Sequence, residues 1–241
     1  MPLLDQNFNL SQRMSQELGR QIVCGFYKKT RGLPTEAELC EQFGVSRSAV
    51  REAVKMLSAK GLITSKPRQG IRIQPEEQWN IFDSDLLRWA LESNPSLEML
   101  REYLQMRIAI EPEAAALAAR HATEEQINVI AAAIDQLAAA EGDSEAALEA
   151  DIAFHISILY GSNNRFYIRL RDFIQTALRV SFGYTQPLKD NFQGALEDHL
   201  KILNAIKNRN PDRAKHSMLL LVDETLGLIE EQIRKQEEPC S

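Results

Sequence analysis

Apolar residues recur every three or four positions along most of this chain, which is the spacing of amphipathic helices. The run MSQELGRQIVCGF places Met14, Leu18 and Ile22 on one such stripe and predicts a first helix that ends near Gly25. From Trp79 onward the helical spacing continues almost throughout, and no convincing pair of strands interrupts it. The pattern therefore predicts a mainly α protein.

Two helices joined by a very short turn are predicted next. Thr35 and Glu38 have the spacing of a capping box, so the second helix follows Thr35 and closes at Gly44. Ser46 is the expected N-cap of the third helix, in the run GVSRSAVREAVKMLSAKGLI. The rear of that helix is apolar, whereas its first turns carry two arginines and two serines. This is the helix-turn-helix layout.

A short β-hairpin is predicted immediately after the third helix. The stretch LITSKPRQGIRIQP has alternating segments on both sides of PRQG, which is a turn sequence. Lys66, Arg68 and Gln69 make the predicted tip basic or polar, and Gly70 lets the backbone approach a partner closely. The hairpin would be the wing of a winged helix-turn-helix, and a solvated turn without function is the alternative.

The remaining two-thirds of the chain is predicted to form an antiparallel helical bundle. We expect six or seven helices, among them a long one that Pro112 should kink or break, one capped by Ser144, one over NRFYIRLRDFIQTALRVSFGY after Asn163, and a last one with Pro211 in its first turn. The predicted regions are a winged helix-turn-helix domain at 8–76, a linker and connecting helix at 77–96, and an all-α domain at 97–232.

Charge is distributed unevenly between these regions. Residues 1–75 contain 12 Lys+Arg and 6 Asp+Glu, whereas the remainder contains 16 and 28, and the whole chain has a net charge of −6. Because the local field steers association, the basic first region is the one suited to approach a polyanion such as DNA. Three cysteines without a CxxC pair fit reduced thiols. The start lacks the features of a signal peptide and no apolar run is long enough to span a membrane, so we expect a cytoplasmic protein without a membrane partner.

The run LPTEAELCEQFGVSRSAVREAVKMLSAKGLITSKPRQGIRI closely resembles the winged helix-turn-helix of GntR-family transcriptional regulators. The resemblance implies that Arg47 and Arg51 bond guanine edges in the major groove. It also implies that Ser46 and Ser48 hold phosphates at the helix N-terminus and that the wing tip enters the minor groove. Many members carry Arg where this chain has Ala37, so we expect a different operator sequence. The predicted DNA-binding residues are Thr35, Ser46, Arg47, Ser48, Arg51, Lys66, Arg68 and Gly70.

Three of the four histidines lie on apolar faces of predicted helices. His155 follows Asp151 by four residues, so both side chains leave one helical face. His199 and His216 each share a stripe with Ile or Leu residues. Burying an unpaired carboxylate among apolar neighbours is costly, whereas one divalent cation satisfies the carboxylate and three imidazoles together. Periodicity does not show that the three helices converge, and hydrogen-bonded core histidines are the alternative.

Residues 97–230 are similar to the FCD ligand-binding domain of the FadR-type branch of GntR regulators, in its metal-containing version. The family pattern has an Asp and a His four residues apart, a His in a helix of the type EDHLKILNAI, and a His in the last helix. The resemblance implies a site that suits zinc and would accept nickel or manganese. The metal ligands implied in this sequence are Asp151, His155, His199 and His216.

Open coordination positions on such an ion would let a carboxylate or hydroxycarboxylate effector bind directly. The resemblance implies that Arg107 pairs with the effector carboxylate and that Asn164 and Arg179 lie near the cavity. This chain has Asn163 where the family usually has Gly, and a surface salt bridge of Arg107 with Glu111 is the alternative for that arginine. The segment WNIFDSDLLRWALES looks like the branch that responds to sugar acids such as galactonate or gluconate, with lactate or a dicarboxylate as the competing effector.

We therefore predict a homodimeric, metal-containing DNA-binding regulator, a repressor of a sugar-acid or other organic-acid catabolic operon, and not an enzyme. Two winged helices in a dimer would engage a palindromic operator, and effector binding would change the spacing of the two reading heads. The alternative from another class is a metal-dependent hydrolase with a DNA-binding appendage. No G-x-S-x-G, HExxH or P-loop sequence is present to support it. A purely structural metal is a third interpretation.

Overall fold

A computed structural model of the chain describes residues 9–29, 32–66, 69–92, 95–185 and 192–237. These residues contain eleven α-helices, two short 3₁₀ segments and one two-stranded antiparallel sheet, which confirms the predicted mainly α class. The chain divides into two compact units, residues 1–94 and residues 95–241. None of the helices in the described ranges is both long enough and apolar enough to cross a membrane.

The first unit has the predicted helix-turn-helix followed by a hairpin. Thr35 accepts a hydrogen bond from the Glu38 N–H at 3.3 Å, and the Glu38 carboxylate accepts one from the Thr35 N–H at 2.7 Å, so the capping box is present. Gly44 ends the second helix in the left-handed region, at φ 62°, and Ser46 caps the third. The elements are α1 (Leu10–Val23), α2 (Glu36–Phe43), α3 (Arg47–Ala59), β1 (Ile63–Lys66), β2 (Gly70–Ile73) and α4 (Ser84–Glu92).

Helix α4 is part of the core of the first unit, although its sequence was predicted to belong to the connecting region. Trp89 of α4 packs in one buried cluster with Leu18 and other residues of α1 and α3. Gly19 makes room for it, because a Cβ at that position would lie 2.3 Å from the Trp89 ring. Lys60, at the end of α3, reaches Asp83 at 2.7 Å and Asp85 at 2.9 Å. These contacts attach α4 to α3.

The hairpin has the register expected of a tight wing. Ile63 lies opposite Ile73 and Lys66 lies opposite Gly70. Residues 67 and 68 lie outside the described residues. The prediction that Arg68 of the hairpin tip contacts DNA therefore concerns a side chain that the structure does not describe.

Two glycines, Gly61 before the hairpin and Gly70 at the start of β2, have the same left-handed conformation but different surroundings. Gly61 has φ +75° and a Cβ there would lie 2.3 Å from the Gln78 carbonyl oxygen, whereas Gly70 has φ +73° and no atom within 4 Å of such a Cβ. We expect Gly70→Ala to lower the free energy of unfolding by about 1 kcal/mol through backbone strain alone. Gly61→Ala should lose a further amount of about 1–2 kcal/mol, because the Gln78 backbone must move.

Both tryptophans of the chain, Trp79 and Trp89, belong to the first unit. Denaturant unfolding followed by tryptophan fluorescence therefore measures the free energy of unfolding of this unit in the two variants. Equal losses for Gly61→Ala and Gly70→Ala would contradict the close approach of Gln78 to Gly61.

The second unit is an α-helical bundle of seven helices within the described ranges. Helix α5 packs along α11 and also against α7, and α6 packs against α7 and α10. Buried alanines of α5, among them Ala114, Ala115 and Ala118, let the helices approach closely. The elements are α5 (Leu97–His121), α6 (Glu124–Ala139), α7 (Ser144–Gly161), α8 (Arg165–Arg169), α9 (Arg171–Thr185), α10 (Phe192–Lys207) and α11 (Pro211–Glu237).

Three details of the bundle differ from the prediction. Helix α5 runs unbroken through Pro112, which is buried, because packing on both sides outweighs one lost hydrogen bond. Asp143, not Ser144, caps α7: its carboxylate accepts hydrogen bonds from Glu145 N–H and Ala146 N–H, each at 3.1 Å. The segment predicted as one helix after Asn163 is two, α8 and α9.

Candidate effector site and DNA interface

A cavity of about 110 Å³ lies inside the second unit, between α5, α6, α7, α9, α10 and α11. One part of its wall is apolar and includes Leu178, Phe182 and Leu196. The other part carries charged and imidazole groups, which come from α5, α7 and α10. These groups are Arg107, Asp151, His155 and His199.

Three of these side chains bring potential metal ligands together. Asp151 and His155 leave α7 four residues apart, and His199 faces them from α10. One ligand atom from each residue can be chosen so that all lie within 4.8 Å of one another. The His199 Nε2 atom is 2.9 Å from Asp151 Oδ1, and the His155 Nε2 atom is 3.7 Å from the same oxygen.

Both imidazoles are oriented by partners at their other nitrogen. His199 Nδ1 lies 2.7 Å from the Ala195 carbonyl oxygen, and His155 Nδ1 lies 2.6 Å from Glu111 Oε2. A carbonyl oxygen and an ionised carboxylate only accept hydrogen bonds, so each Nδ1 carries the hydrogen. In a neutral ring, Nε2 then keeps its electron pair. The pair of His199 faces Asp151 Oδ1, whereas His155 Nε2 lies 3.2 Å from Arg107 Nη2, which donates to it, so a cation bound at His155 would replace this hydrogen bond. The partners at Nδ1 are of the kind that orient histidines toward a metal ion.

The pair of His199 Nε2 and Asp151 Oδ1 gives a test of whether a cation fits these residues. Two acceptors 2.9 Å apart repel each other unless a positive charge lies between them. Either a proton on the imidazole or a cation bound to both atoms satisfies the contact. The donor set of two imidazoles and one carboxylate therefore suits a divalent cation of the zinc, nickel or manganese group.

Arg107 is buried beside this cluster and forms a double ion pair with Glu111. Its Nε atom lies 2.5 Å from Glu111 Oε1 and its Nη2 atom 3.1 Å from Oε2, and both side chains are at most 4% exposed. Burial alone would raise the pKa of the Glu111 carboxyl, but the charge of Arg107 and the contacts with His155 outweigh it and bring the pKa to about 2. Burial lowers the pKa of Arg107, and the Glu111 carboxylate raises it by more. Both groups are therefore charged.

His216 does not join the cluster, and the prediction that it is the fourth ligand is wrong. Its side chain is exposed near the start of α11, and the donor cluster in the described part of the chain contains only Asp151, His155 and His199. The residues of α11 that line the cavity are Leu221, five positions later, and Thr225. Five residues turn an α-helix by about 140° beyond a full turn, so the two side chains leave on different sides.

The structure also separates Asn164 and Arg179 from the cavity. Asn164 caps α8, where its side chain accepts a hydrogen bond from the Phe166 N–H at 2.9 Å, and it lines a surface depression elsewhere in the second unit. Arg179 is exposed and paired with Glu149. Of the three predicted effector contacts, Arg107 alone lines the cavity. The alternative partner of Arg107, Glu111, is its actual partner, but the pair is buried and not on the surface.

The wall also contains a set of hydroxyl groups that was not predicted from the sequence. Ser181 and Thr185 on α9, and Thr225 on α11, line the cavity together with the charged groups. The spacing of Ser181 and Thr185, four residues apart on an otherwise apolar stripe, is a signal that could have identified them.

In the first unit, the described members of the predicted DNA-binding set lie at the start of α2, at one end of α3 and in the hairpin. Arg47 and Arg51 are exposed, and Arg51 Nε lies 3.1 Å from Glu36 Oε2 in a pair whose arginine side chain is 67% exposed. An exposed pair of this kind contributes at most about 1 kcal/mol, so Arg51 can exchange Glu36 for a base at little cost. The Ser46 and Ser48 hydroxyl groups are 2.8 Å apart.

A shallow groove runs from the start of α2 to the hairpin. Thr35 and Glu36 line one side and Lys66 and Gly70 the other, and the two hairpin residues are exposed. The basic and polar residues predicted from the helix-turn-helix pattern are therefore at the surface of the first unit, with Arg68 outside the described residues.

Comparison with known proteins identifies both units. Residues 10–73 match the family described as bacterial regulatory proteins, gntR family, and residues 102–224 match the FCD domain. The chain belongs to the GntR family and carries an FCD domain. This GntR-family chain is 34% identical to the galactonate operon transcriptional repressor of Escherichia coli (strain K12), over 89% of this chain and 94% of that protein. It is 36% identical to the HTH-type transcriptional regulator YieP of the same strain, with the same coverage.

A solved structure supports the fold of the GntR-family chain. Lar of Listeria monocytogenes superposes with a TM-score of 0.57 at 17% sequence identity, over 94% of this chain and 99% of that chain. The matching family and the named relatives are transcription regulators and not enzymes, which confirms the predicted function class and argues against the hydrolase alternative.

Proposed function

We propose that this GntR-family regulator is a homodimeric repressor that binds operator DNA through its first unit, and a divalent cation with a small sugar acid in its FCD domain. The convergence of Asp151, His155 and His199 in a cavity that also contains Arg107 carries the proposal. Zinc is the first choice of ion, and nickel or manganese would be accepted by the same ligands.

The charges of the cavity explain why a carboxylate effector needs the cation. With neutral imidazoles, Arg107 contributes one positive charge, while Glu111 and Asp151 contribute two negative charges. With these charges, or with a proton between His199 and Asp151, the cavity has no net positive charge to attract a carboxylate. A divalent cation changes the net charge to +1, so a monocarboxylate becomes a favourable ligand. Arg107, already paired with Glu111, supplies orientation and a second positive centre.

The hydroxyl groups in the wall favour an effector that has several hydroxyl groups itself. Ser181, Thr185 and Thr225 each donate to a backbone carbonyl of their own helix, at 3.3, 3.0 and 3.2 Å. Their oxygen atoms keep electron pairs that can accept hydrogen bonds, and sugar hydroxyl groups are donors. The similarity to the galactonate operon repressor supports the same class of effector.

Control of DNA binding requires that the effector binds two arrangements of the dimer with different affinities. Two reading helices in a dimer match the two half-sites of a palindrome, and a change in their spacing lowers operator affinity. A homodimer is expected to have twice the chain mass of 27.3 kDa in light scattering.

Gel-shift titration with the full chain and its operator DNA tests the proposal. In the Zn²⁺-loaded protein, D-galactonate or D-gluconate should weaken operator binding by about tenfold, which is within the usual range of allosteric coupling. The chelator-treated protein and Asp151→Ala should not respond. Arg179→Ala is the matched control, because Arg179 is exposed outside the cavity, and it should respond like the wild type. If neither sugar acid nor lactate changes operator affinity, effector control by small acids is wrong.

A further inference from the structure

The wall of the effector cavity offers fewer metal ligands than the number of helices around it suggests. Six helices contribute to the wall, but the carboxylate and imidazole ligands come from α7 and α10 only. Helix α5 contributes Arg107, which cannot ligate a cation. Helix α9 contributes hydroxyl and apolar groups. Of the residues that line the described cavity, only Asp151, His155 and His199 are of a type that commonly binds transition metals.

Helix α11 faces the cavity with side chains that are poor ligands. Leu221 is 5% exposed and lines the cavity, and Thr225 lines it one turn later. The Thr225 hydroxyl group donates to the Leu221 carbonyl oxygen at 3.2 Å. His216 is on another side of the same helix and is exposed. A histidine at position 221 would face the cavity, but this chain has leucine there.

Three protein ligands leave a cation incompletely coordinated. Zinc sites that are purely structural have four protein ligands, whereas sites with three keep a position open for water or another molecule. Two histidines and one carboxylate are also the set that leaves several positions open on ions that accept more than four ligands. A molecule that supplies two oxygen atoms therefore completes the coordination that the protein leaves open.

We infer that Leu221 makes this a three-ligand site, in which Asp151, His155 and His199 hold the cation weakly until a 2-hydroxycarboxylate binds it through its carboxylate and its neighbouring hydroxyl group. The inference rests on the proposed function, and it adds which sugar-acid atoms are recognised and why cation and effector bind together. By linkage, the acid raises the affinity for the cation by the same factor as the cation raises the affinity for the acid.

The first test asks whether the cation lacks a fourth protein ligand. The Zn²⁺ affinity of the metal-stripped full chain is measured by competition with a fluorescent chelator. Leu221→His should bind Zn²⁺ at least about tenfold more tightly than the wild type, because it supplies a fourth ligand. Leu220→His combined with His216→Ala is the matched control, because Leu220 is 55% exposed and the loss of His216 prevents a new pair of exposed histidines four residues apart; its affinity should stay within about twofold of the wild type. His216→Ala should also stay within twofold. A tenfold weakening in His216→Ala, or an unchanged affinity in a folded Leu221→His, would overturn the inference.

The wild-type chain gives a second test that does not depend on any variant. Glycolate has the carboxylate and the neighbouring hydroxyl group, whereas acetate has the carboxylate alone. After correction for Zn²⁺ bound by the free acid, glycolate should tighten Zn²⁺ binding by about fivefold or more, and acetate by less than twofold. In Co²⁺-loaded protein, glycolate should change the visible absorption spectrum more in the wild type than in Leu221→His. Equal effects of glycolate and acetate would refute recognition of the hydroxyl group.

The outcomes separate this inference from the proposed function. If sugar acids release the operator but Zn²⁺ already binds the wild type as tightly as Leu221→His, the proposed function stands and the three-ligand site is wrong. If the wild type binds no Zn²⁺ with or without glycolate, the metal-dependent part of the proposed function fails together with the inference.

Discussion

The double variant Arg47→Ala with Arg51→Ala is expected to lose about 2–6 kcal/mol of operator-binding free energy, because a bidentate contact of arginine with guanine contributes about 1–3 kcal/mol. Both side chains are exposed at the start of α3, where a reading helix contacts base edges. Fluorescence anisotropy with the operator and with a scrambled duplex, at two salt concentrations, measures the loss and shows whether it depends on sequence.

Arg20→Ala with Arg88→Ala is the matched control for this variant. It removes the same charge from the first unit at two exposed positions on α1 and α4. Loss of two positive charges weakens binding to any duplex and reduces the salt dependence. Arg47→Ala with Arg51→Ala should lose the preference for the operator over the scrambled duplex, and the control should keep this preference. If both variants retain the preference, Arg47 and Arg51 contribute charge only.

Glu111→Ala should lower the free energy of unfolding of the FCD domain by about 3–5 kcal/mol, the usual cost of removing one partner from a buried ion pair. The change leaves Arg107 charged, buried and without its main partner. It also removes the group that holds His155 Nδ1, so Zn²⁺ affinity should fall by about 10–100-fold. Denaturant unfolding of metal-free protein, followed by helical circular dichroism, measures the first effect.

Glu113→Ala tests whether the effect belongs to the buried pair. Glu113 is on the same helix, two residues away, and forms an exposed pair with Lys215. Its removal should change stability by less than about 0.5 kcal/mol. Replacing Arg107 and Glu111 together by Met and Leu should recover part of the loss, because no unpaired charge remains. A loss below 1 kcal/mol in Glu111→Ala would show that Arg107 is solvated and not buried.

The sequence predicts the first unit well because its signals are local. The capping box of Thr35 and Glu38, the Ser46 cap and the turn at Gly44 are each specified within a few residues. The same holds for Asp151 and His155, whose spacing of four residues places them on one face of any helix. Local rules therefore predict which residues share an element and a face.

The choice of the inward face of α11 depends on tertiary packing and could not be read from periodicity. Five consecutive apolar residues, from Met218 to Val222, cover more than one face of the helix. His216 shares a stripe with Leu220, which is 55% exposed, whereas the cavity side is defined by Leu221. Consecutive apolar residues leave the orientation open, and packing against α5 and α10 decides it.

Burial of the Arg107 and Glu111 pair is a second feature that spacing does not predict. Two opposite charges four residues apart occur equally on exposed helices and inside a bundle. Only the packing of α7 and α11 around α5 places this pair among buried residues. Helix α5 continues through Pro112 for the same reason, since tertiary contacts compensate a local defect.

Direct measurement of bound Zn²⁺ is the sharpest test of whether Asp151, His155 and His199 hold a cation. In calorimetric titration of the metal-stripped full chain, in buffer containing glycolate, the wild type and His216→Ala should each bind one Zn²⁺ per chain. Asp151→Ala combined with His199→Ala should bind none at this site while keeping its helical circular dichroism. A wild-type chain that binds no Zn²⁺, or a folded double variant that still binds one with wild-type affinity, would contradict the proposed site.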